Sequence, residues 1–130
     1  MVFTVKSPIP GFAHIKTMEL TKIDDFFMKL QSEQDDTSFT LINPFLLRPY
    51  EFDIPTAYKE LLAIDEKSEL LVLNIMIIST PIEKSAINFI APLVFNTTQK
   101  CMAQIMLDTI KYPHFGITES ISNFLNTEEA

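Results

Sequence analysis

The run LLVLNIMII, from Leu70 to Ile78, is the longest apolar stretch of the sequence and gives the strongest indication of its fold. A short run without polar alternation predicts a strand that is buried on both faces. Such a strand is either central in its sheet, with both faces covered, or has an outer face that serves as an interface. The run contains Asn74 and is far shorter than the ~20 residues that a membrane-spanning helix needs.

Alternation with a period of two recurs around this run and is typical of strands with one buried face. Apolar positions alternate at Phe26, Met28 and Leu30, at Phe39 and Leu41, at Ile87, Phe89, Ala91, Leu93 and Phe95, and at Cys101, Ala103, Ile105 and Leu107. Pro92 lies inside the third of these segments, where a proline predicts a sheet edge or a bulge. The polar residues 32–36 predict a hairpin loop.

Helical patterns are few. Residues 56–64 follow Pro55 and place Tyr58, Leu61 and Leu62 at helical spacing, which predicts one short helix. A second short amphipathic segment spans Glu119 to Leu125. We therefore predict an all-β fold, a single antiparallel β-barrel-like domain, closed or open, with one short helix. This domain covers residues 1–117, and residues 118–130 form a C-terminal tail that is either a short helix or disordered.

Composition and charge exclude several classes of protein. The 130 residues are 47% hydrophobic, which fits one folded domain and not a disordered chain. The formal net charge of −7 argues against direct binding to nucleic acid, because phosphate affinity comes mostly from lysine and arginine. Only 2 glycines are present, which leaves little material for a phosphate-binding loop. Without a signal peptide or a membrane span, the sequence predicts a cytoplasmic protein.

The residues that usually carry catalysis are sparse and scattered. Cys101 is the one cysteine, and its phase with Ala103 and Ile105 predicts a core position. His14 and His114 are a hundred residues apart and lack the companions of a metal site, and His14 is expected at the surface. The sequence therefore predicts no metal, no cofactor and no enzymatic activity.

Residues 43–55 combine aromatic residues, an arginine and three prolines in a segment that does not have a strand pattern throughout. One interpretation is a rigid crossover that packs Phe45 and Phe52 into the core. The other is a preorganised loop that presents tyrosine, arginine and apolar groups, which are enriched at protein interfaces. Both interpretations can hold at once.

Several motifs resemble those of the FliW family of flagellar assembly factors. They are Pro8–Phe12, Leu41–Leu46, Leu70–Ile75, Asn88–Asn96 and Ala103–Ile105. Each motif alone is weak, but their order and spacing are similar to that family from about Phe3 to Ile117.

The resemblance implies a non-enzymatic, β-barrel-like protein of the bacterial cytoplasm. Members of this family bind flagellin before its export and, in alternation, the translational regulator CsrA. When flagellin is exported, the freed protein captures CsrA and relieves its repression of flagellin mRNA. The acidic charge of the chain is compatible with this role, because CsrA has a basic surface and opposite charges speed association. No membrane partner is implied.

We expect the interface at the loop from Asn43 to Glu51 and at the strand from Asn88 to Asn96. Its expected contact residues are Phe45, Arg48, Tyr50, Glu51, Asn88 and Pro92. Pro92 is included because an edge strand can pair with another chain. Two other hypotheses remain open, a β-barrel that holds a small apolar ligand and a hydrolase that uses His114. The sequence decides neither the oligomeric state nor whether flagellin and CsrA share one surface.

Overall fold

The computed structural model describes residues 1–81, 84–115 and 119–120. Within these residues the chain forms strands β1 (Val2–Ser7), β2 (Thr17–Lys22), β3 (Phe27–Ser32), β4 (Ser38–Ile42), β5 (Leu70–Ile77), β6 (Ala86–Ile87), β7 (Leu93–Asn96), β8 (Cys101–Gln104) and β9 (Glu119–Ser120). Helix α1 (Thr56–Leu61) lies between β4 and β5, and 3-10 turns occupy Pro44–Leu46 and Pro113–Phe115.

Seven of these strands close into a barrel in the order β4-β3-β2-β1-β8-β7-β5, and the pairing of β4 with β5 completes the ring. Strands β6 and β9 extend the sheet from β5. Among the pairings of the described residues, β1 with β8 is parallel and the others are antiparallel. The predicted β-barrel with one short helix is confirmed, and the barrel is closed.

Strand β5 is central, as its apolar run predicts. One of its edges pairs with β4, and the other pairs first with β7 and then with β6. Leu73 and Met76 lie on opposite faces of the strand and are 1% and 4% exposed. They belong to two different apolar clusters, which explains why β5 lacks polar alternation.

The first apolar cluster fills the barrel. Its fully buried side chains include Phe3, Leu30, Leu93 and Phe95, and the rings of Phe3 and Phe95 pack edge to face with centroids 5.0 Å apart. Alternation along the strands places these residues on the inner face. Among the described residues, packed side chains therefore occupy the barrel interior, which argues against the internal cavity that the small-ligand hypothesis needs.

The second cluster lies between the outer barrel wall and the segments that cover it. Tyr50 of the crossover, Leu62 after α1 and Phe115 near the end of the described residues pack against wall residues such as Val94 and Ala103. Cys101 belongs to this cluster and is 4% exposed, so its predicted core position is confirmed. The layer converts part of the barrel wall into a second buried face.

Both helix predictions require adjustment. Helix α1 begins after Pro55 as expected but ends at Leu61, because Ala63 takes a left-handed backbone with a φ of 53°. Near the C-terminus, Glu119 and Ser120 pair with β6 as β9 instead of forming the first turn of a helix. The rest of the expected helical segment, residues 121–125, lies outside the described residues. No helix in the part of the chain that the structure describes is long and apolar enough to cross a membrane.

Of the two positions predicted for Pro92, a sheet edge or a bulge, the structure rules out the sheet edge. The segment predicted as one strand is divided into β6, a connection at residues 88–92, and β7. Strand β7 pairs with β5 on one side and β8 on the other, so neither of its edges is open to another chain. Pro92 precedes β7, where it needs no N–H donor, and its C=O accepts the N–H of Ile105 at 2.9 Å.

Candidate binding surface

The crossover after β4 begins with a tight turn that turns two apolar side chains outward. The side chain of Asn43 accepts the backbone N–H of Phe45 at 3.0 Å, and Pro44 begins the 3-10 turn. Phe45 is 54% exposed and Leu46 is 51% exposed. The interpretation that buried Phe45 in the core is therefore wrong, whereas Phe52 does pack against the outer cluster.

Tyr50 fixes the crossover to the barrel. Tyr50 is 2% exposed. Its O–H donates to the C=O of Phe89, and its hydroxyl oxygen accepts from Nδ2 of Asn74 at 3.2 Å. Its ring centroid lies 4.7 Å from that of Phe115 and 5.3 Å from that of Phe52. Burial raises the pKa of Tyr50 to about 12. These contacts make the crossover a preformed surface.

Arg48 covers the same aromatic group from the outside. The Cζ atom of its guanidinium lies 5.2 Å from the ring centre of Phe89 and 5.1 Å from that of Phe115. A cation over an aromatic face at this distance is attracted by the negative face of the ring. The guanidinium of Arg48 is therefore held at the surface by two rings that belong to different segments.

The segment 108–115 runs beside the crossover and is bonded to it at Asp53. The backbone N–H of Asp53 donates to the hydroxyl of Tyr112 at 2.8 Å, and Nζ of Lys111 lies 3.1 Å from Oδ2 of Asp53. The hydrogen bond with the Asp53 carboxylate raises the pKa of Lys111. The rings of Tyr112 and Phe115 stack with centroids 5.6 Å apart, which keeps the segment compact.

Two neighbouring grooves open where these segments meet, and we call them together the crossover grooves. The larger has a volume of about 660 Å³ and is lined by Phe45, Tyr50, Glu51, Phe52, Asp53, Ile54, Val72, Lys111 and Tyr112. The smaller has a volume of about 300 Å³ and is lined by Arg48, Pro49, Glu51, Lys111, Tyr112, Pro113, His114 and Phe115. Aromatic walls with charged groups of both signs suit a protein segment that carries apolar and charged side chains.

The structure brings together four of the six expected contact residues. Phe45, Arg48, Tyr50 and Glu51 all line the crossover grooves. The other two lie in the connection behind Tyr50. Asn88 is half-buried and its C=O accepts from Nδ2 of Asn74 at 2.7 Å, while Pro92 is buried.

The sequence interpretation missed the contribution of the segment 108–115. Lys111 and Tyr112 line both grooves, and Asp53 carries the ion pair between the two segments. The run Tyr112-Pro113-His114-Phe115 has the same mixture of aromatic and turn-forming residues as the crossover. That shared composition was the available indication, but composition alone does not show that two distant segments are adjacent.

The two histidines lie in different settings. His14 is exposed, as expected, and its Nε2 lies 2.6 Å from Oδ2 of Asp35. A backbone hydrogen bond from Thr37 and the side-chain bond with His14 lower the pKa of Asp35 to about 2. This pair lies on an exposed loop, whereas His114 lines the smaller crossover groove beside Tyr112 and Phe115.

Comparison with known proteins supplies the family. The family model described as FliW protein matches residues 1–116 of this chain. The chain belongs to the FliW family. It is 54% identical over 129 residues to "Flagellar assembly factor FliW 2" of Wolinella succinogenes, with 98% of this chain and 95% of that protein covered.

A second relative and a solved structure agree with this assignment. Over 127 residues the chain is 51% identical to "Flagellar assembly factor FliW" of Sulfurimonas denitrificans, covering 96% of this chain and 98% of that protein. The crystal structure of the flagellar assembly factor FliW superposes with a TM-score of 0.83 at 25% identity, covering 92% of this chain and 84% of the other. The resemblance predicted from the motifs is confirmed, and so is the barrel.

Proposed function

We propose that this protein is a non-enzymatic flagellar assembly factor of the bacterial cytoplasm. It binds flagellin before export and, in alternation, the translational regulator CsrA, whose repression of flagellin mRNA it thereby relieves. The observation that carries this proposal is membership of the FliW family over residues 1–116. The named role of the two relatives, flagellar assembly, supports the same conclusion.

The crossover grooves are the proposed contact surface. Phe45 offers an exposed aromatic ring that lines the larger groove, and Glu51 is an exposed acidic residue that lines both grooves. Arg48 adds a guanidinium held over two rings. Aromatic and arginine side chains on a rigid support are the residues that most often dominate binding energy. Tyr50, Asn88 and Pro92 support this surface from beneath.

The net charge of −7 favours a basic partner over nucleic acid. CsrA is proposed as that partner, since its RNA-binding surface is basic and complementary charges accelerate the encounter. Alternation between flagellin and CsrA requires that binding of one reduces the affinity for the other, through a shared surface or through a coupling free energy.

Phe45→Ala tests the proposed surface, and Phe26→Ala is its matched control. Both phenylalanines are 54% exposed, but Phe26 lies in the turn between β2 and β3 and lines neither crossover groove. Loss of a central aromatic contact is expected to weaken partner binding by about 2 kcal/mol or more, roughly thirtyfold. Calorimetric titration of both variants with purified flagellin and with CsrA measures this change.

If Phe45→Ala binds both partners as tightly as the wild type does, the crossover grooves are not the contact surface. Equal weakening by the two variants would contradict the proposed surface as well. Failure of the wild-type protein to bind either partner with a Kd below ~10 µM at physiological salt would refute the proposed function itself.

A further inference from the structure

The two crossover grooves differ in the sign of their charge. Two carboxylates and one ammonium line the larger groove, from Glu51, Asp53 and Lys111, so its formal net charge is −1. The smaller groove is lined by Arg48, Lys111 and Glu51, so with a neutral His114 its formal net charge is +1. A cationic side chain of a partner is therefore favoured in the larger groove and opposed in the smaller one.

Among the described residues that line the larger groove, Glu51 is the charged side chain without a counterion. Nζ of Lys111 lies 3.1 Å from Oδ2 of Asp53 and 5.5 Å from the ring centre of Tyr112, so the Lys111 ammonium is already engaged. Within the described part of the chain, no hydrogen bond or ion pair holds the Glu51 side chain. An unpaired carboxylate beside apolar walls attracts a cation more strongly than one surrounded by water.

The backbone that carries Glu51 is held in place by its neighbours. Burial alternates from Tyr50 to Ile54, with Glu51 and Asp53 exposed and the other three residues buried or half-buried. Tyr50 anchors this part of the chain from the residue directly before Glu51. Because the backbone is already ordered, little of its conformational freedom is lost when a ligand binds the carboxylate.

Aromatic rings supply the rest of a site for a cation. Phe45, Tyr50 and Phe52 also line the larger groove, and the ring centroid of Tyr50 lies 6.0 Å from that of Phe45 and 5.3 Å from that of Phe52. The negative face of such rings attracts cations, arginine more often than lysine. Arg48 and Lys111 already lie over rings in the same way within this chain. A planar guanidinium can stack on a ring and also donate two parallel hydrogen bonds to a carboxylate, whereas an ammonium acts as a point charge.

We propose that the larger crossover groove binds an arginine side chain of the partner, with its guanidinium paired to the Glu51 carboxylate and packed against the aromatic wall. The inference rests on the proposed contact surface and adds the chemistry that the partner segment carries there, one arginine flanked by apolar residues. Glu51 is then the residue that selects the partner. A neutral side chain in the same place leaves the carboxylate unpaired, and an acidic one is repelled by it.

Two matched peptides test this proposal without flagellin or CsrA. The probe is acetyl-Leu-Arg-Leu-amide, and its control has citrulline in place of arginine, which keeps the shape of the side chain and removes its charge. Each peptide is titrated into the isotope-labelled full-length protein, and the backbone amide signals of Glu51 and Lys111 are followed by NMR. We expect the arginine peptide to bind about tenfold more tightly than the citrulline peptide.

Glu51→Gln is expected to abolish this preference, so that both peptides bind as weakly as the citrulline peptide binds the wild type. Glu19→Gln is the matched control. It removes the same charge from an exposed position of β2 that lines neither crossover groove, and it should keep the preference.

Equal binding of the two peptides to the wild type would overturn the proposal, as would a preference that persists in Glu51→Gln or disappears in Glu19→Gln. Failure of the arginine peptide to bind the wild type with a Kd below ~10 mM would overturn it too. If the preference is found as expected but neither flagellin nor CsrA binds the protein, the proposed function fails and the arginine site stands.

Discussion

Tyr50 is the residue on which the crossover depends. Its hydroxyl joins the C=O of Phe89 and the amide of Asn74, and its ring contacts aromatic residues from three segments. The sequence placed Tyr50 among the contact residues, because tyrosine is enriched at interfaces. At 2% exposure it contributes by holding the surface in place, a distinction that the residue type cannot make.

Alkaline titration tests the burial of Tyr50. Its pKa rises from 10.0 to about 12 because burial disfavours the phenolate. A folded pKa above the unfolded one means that the neutral hydroxyl stabilises the fold below pH 10, and that this contribution is lost as the pH rises toward 12. We expect one tyrosine to ionise last in a spectrophotometric titration and to be missing in Tyr50→Phe.

Tyr58→Phe is the matched control, since Tyr58 lies on α1 and is half-buried. It should leave the late phase of ionisation in place. A wild-type titration in which every tyrosine ionises near pH 10 would contradict the burial of the Tyr50 hydroxyl.

Asn96 joins two elements, the end of α1 and the turn between β7 and β8. Its Nδ2 donates to the C=O of Leu62 at 2.9 Å, and its Oδ1 accepts the backbone N–H groups of Thr98 and Gln99 at 3.1 and 3.2 Å. The residue has no exposed surface. The short helix is thereby tied to the barrel wall through a buried polar side chain.

Asn96→Ala is expected to lower the free energy of unfolding by about 2–4 kcal/mol, because it removes a fully buried side chain together with its hydrogen bonds to Leu62, Thr98 and Gln99. Urea denaturation followed by circular dichroism measures the change. Gln99→Ala, at an exposed position of the same turn, serves as the control and should stay within about 0.5 kcal/mol of the wild type. Similar losses for both variants would show that the Asn96 side chain does not join the two elements.

At the level of elements, local sequence patterns correctly predicted individual strands and the helix. The run Leu70–Ile78 gave β5, and Pro55 with the spacing that follows it gave α1. Pro92 was misread because the alternation of residues 87–95 continues through a connection whose Phe89 and Ala91 are buried without being in a strand. A period of two in apolar residues indicates alternating burial, and an irregular segment with alternating buried residues gives the same sequence pattern as a strand.

The whole molecule is organised by contacts between residues far apart in sequence. The barrel closes through the parallel pairing of β1 with β8 and the pairing of β4 with β5. The crossover grooves exist because residues 108–115 lie against residues 48–54. Neither arrangement follows from local sequence patterns. The sequence therefore predicted the crossover residues of the site but not those of the segment 108–115.

If CsrA binds as proposed, the net charge of −7 predicts that its association depends on salt. Raising the ionic strength from 0.05 M to 0.5 M shortens the Debye length and should slow association by about tenfold, with a much smaller effect on dissociation. Stopped-flow measurements over this range give both rates. An association rate that is independent of salt would contradict a role for the acidic surface in steering.

A competition experiment tests the central claim, alternate binding of flagellin and CsrA, most directly. A complex of the purified protein with CsrA is formed first, flagellin is added in increasing amounts, and the species are separated by size-exclusion chromatography. Alternation predicts that CsrA is released as a complex of flagellin with this protein appears, and that excess CsrA reverses the exchange. A stable complex that contains all three proteins, or CsrA that stays bound at saturating flagellin, would contradict the account.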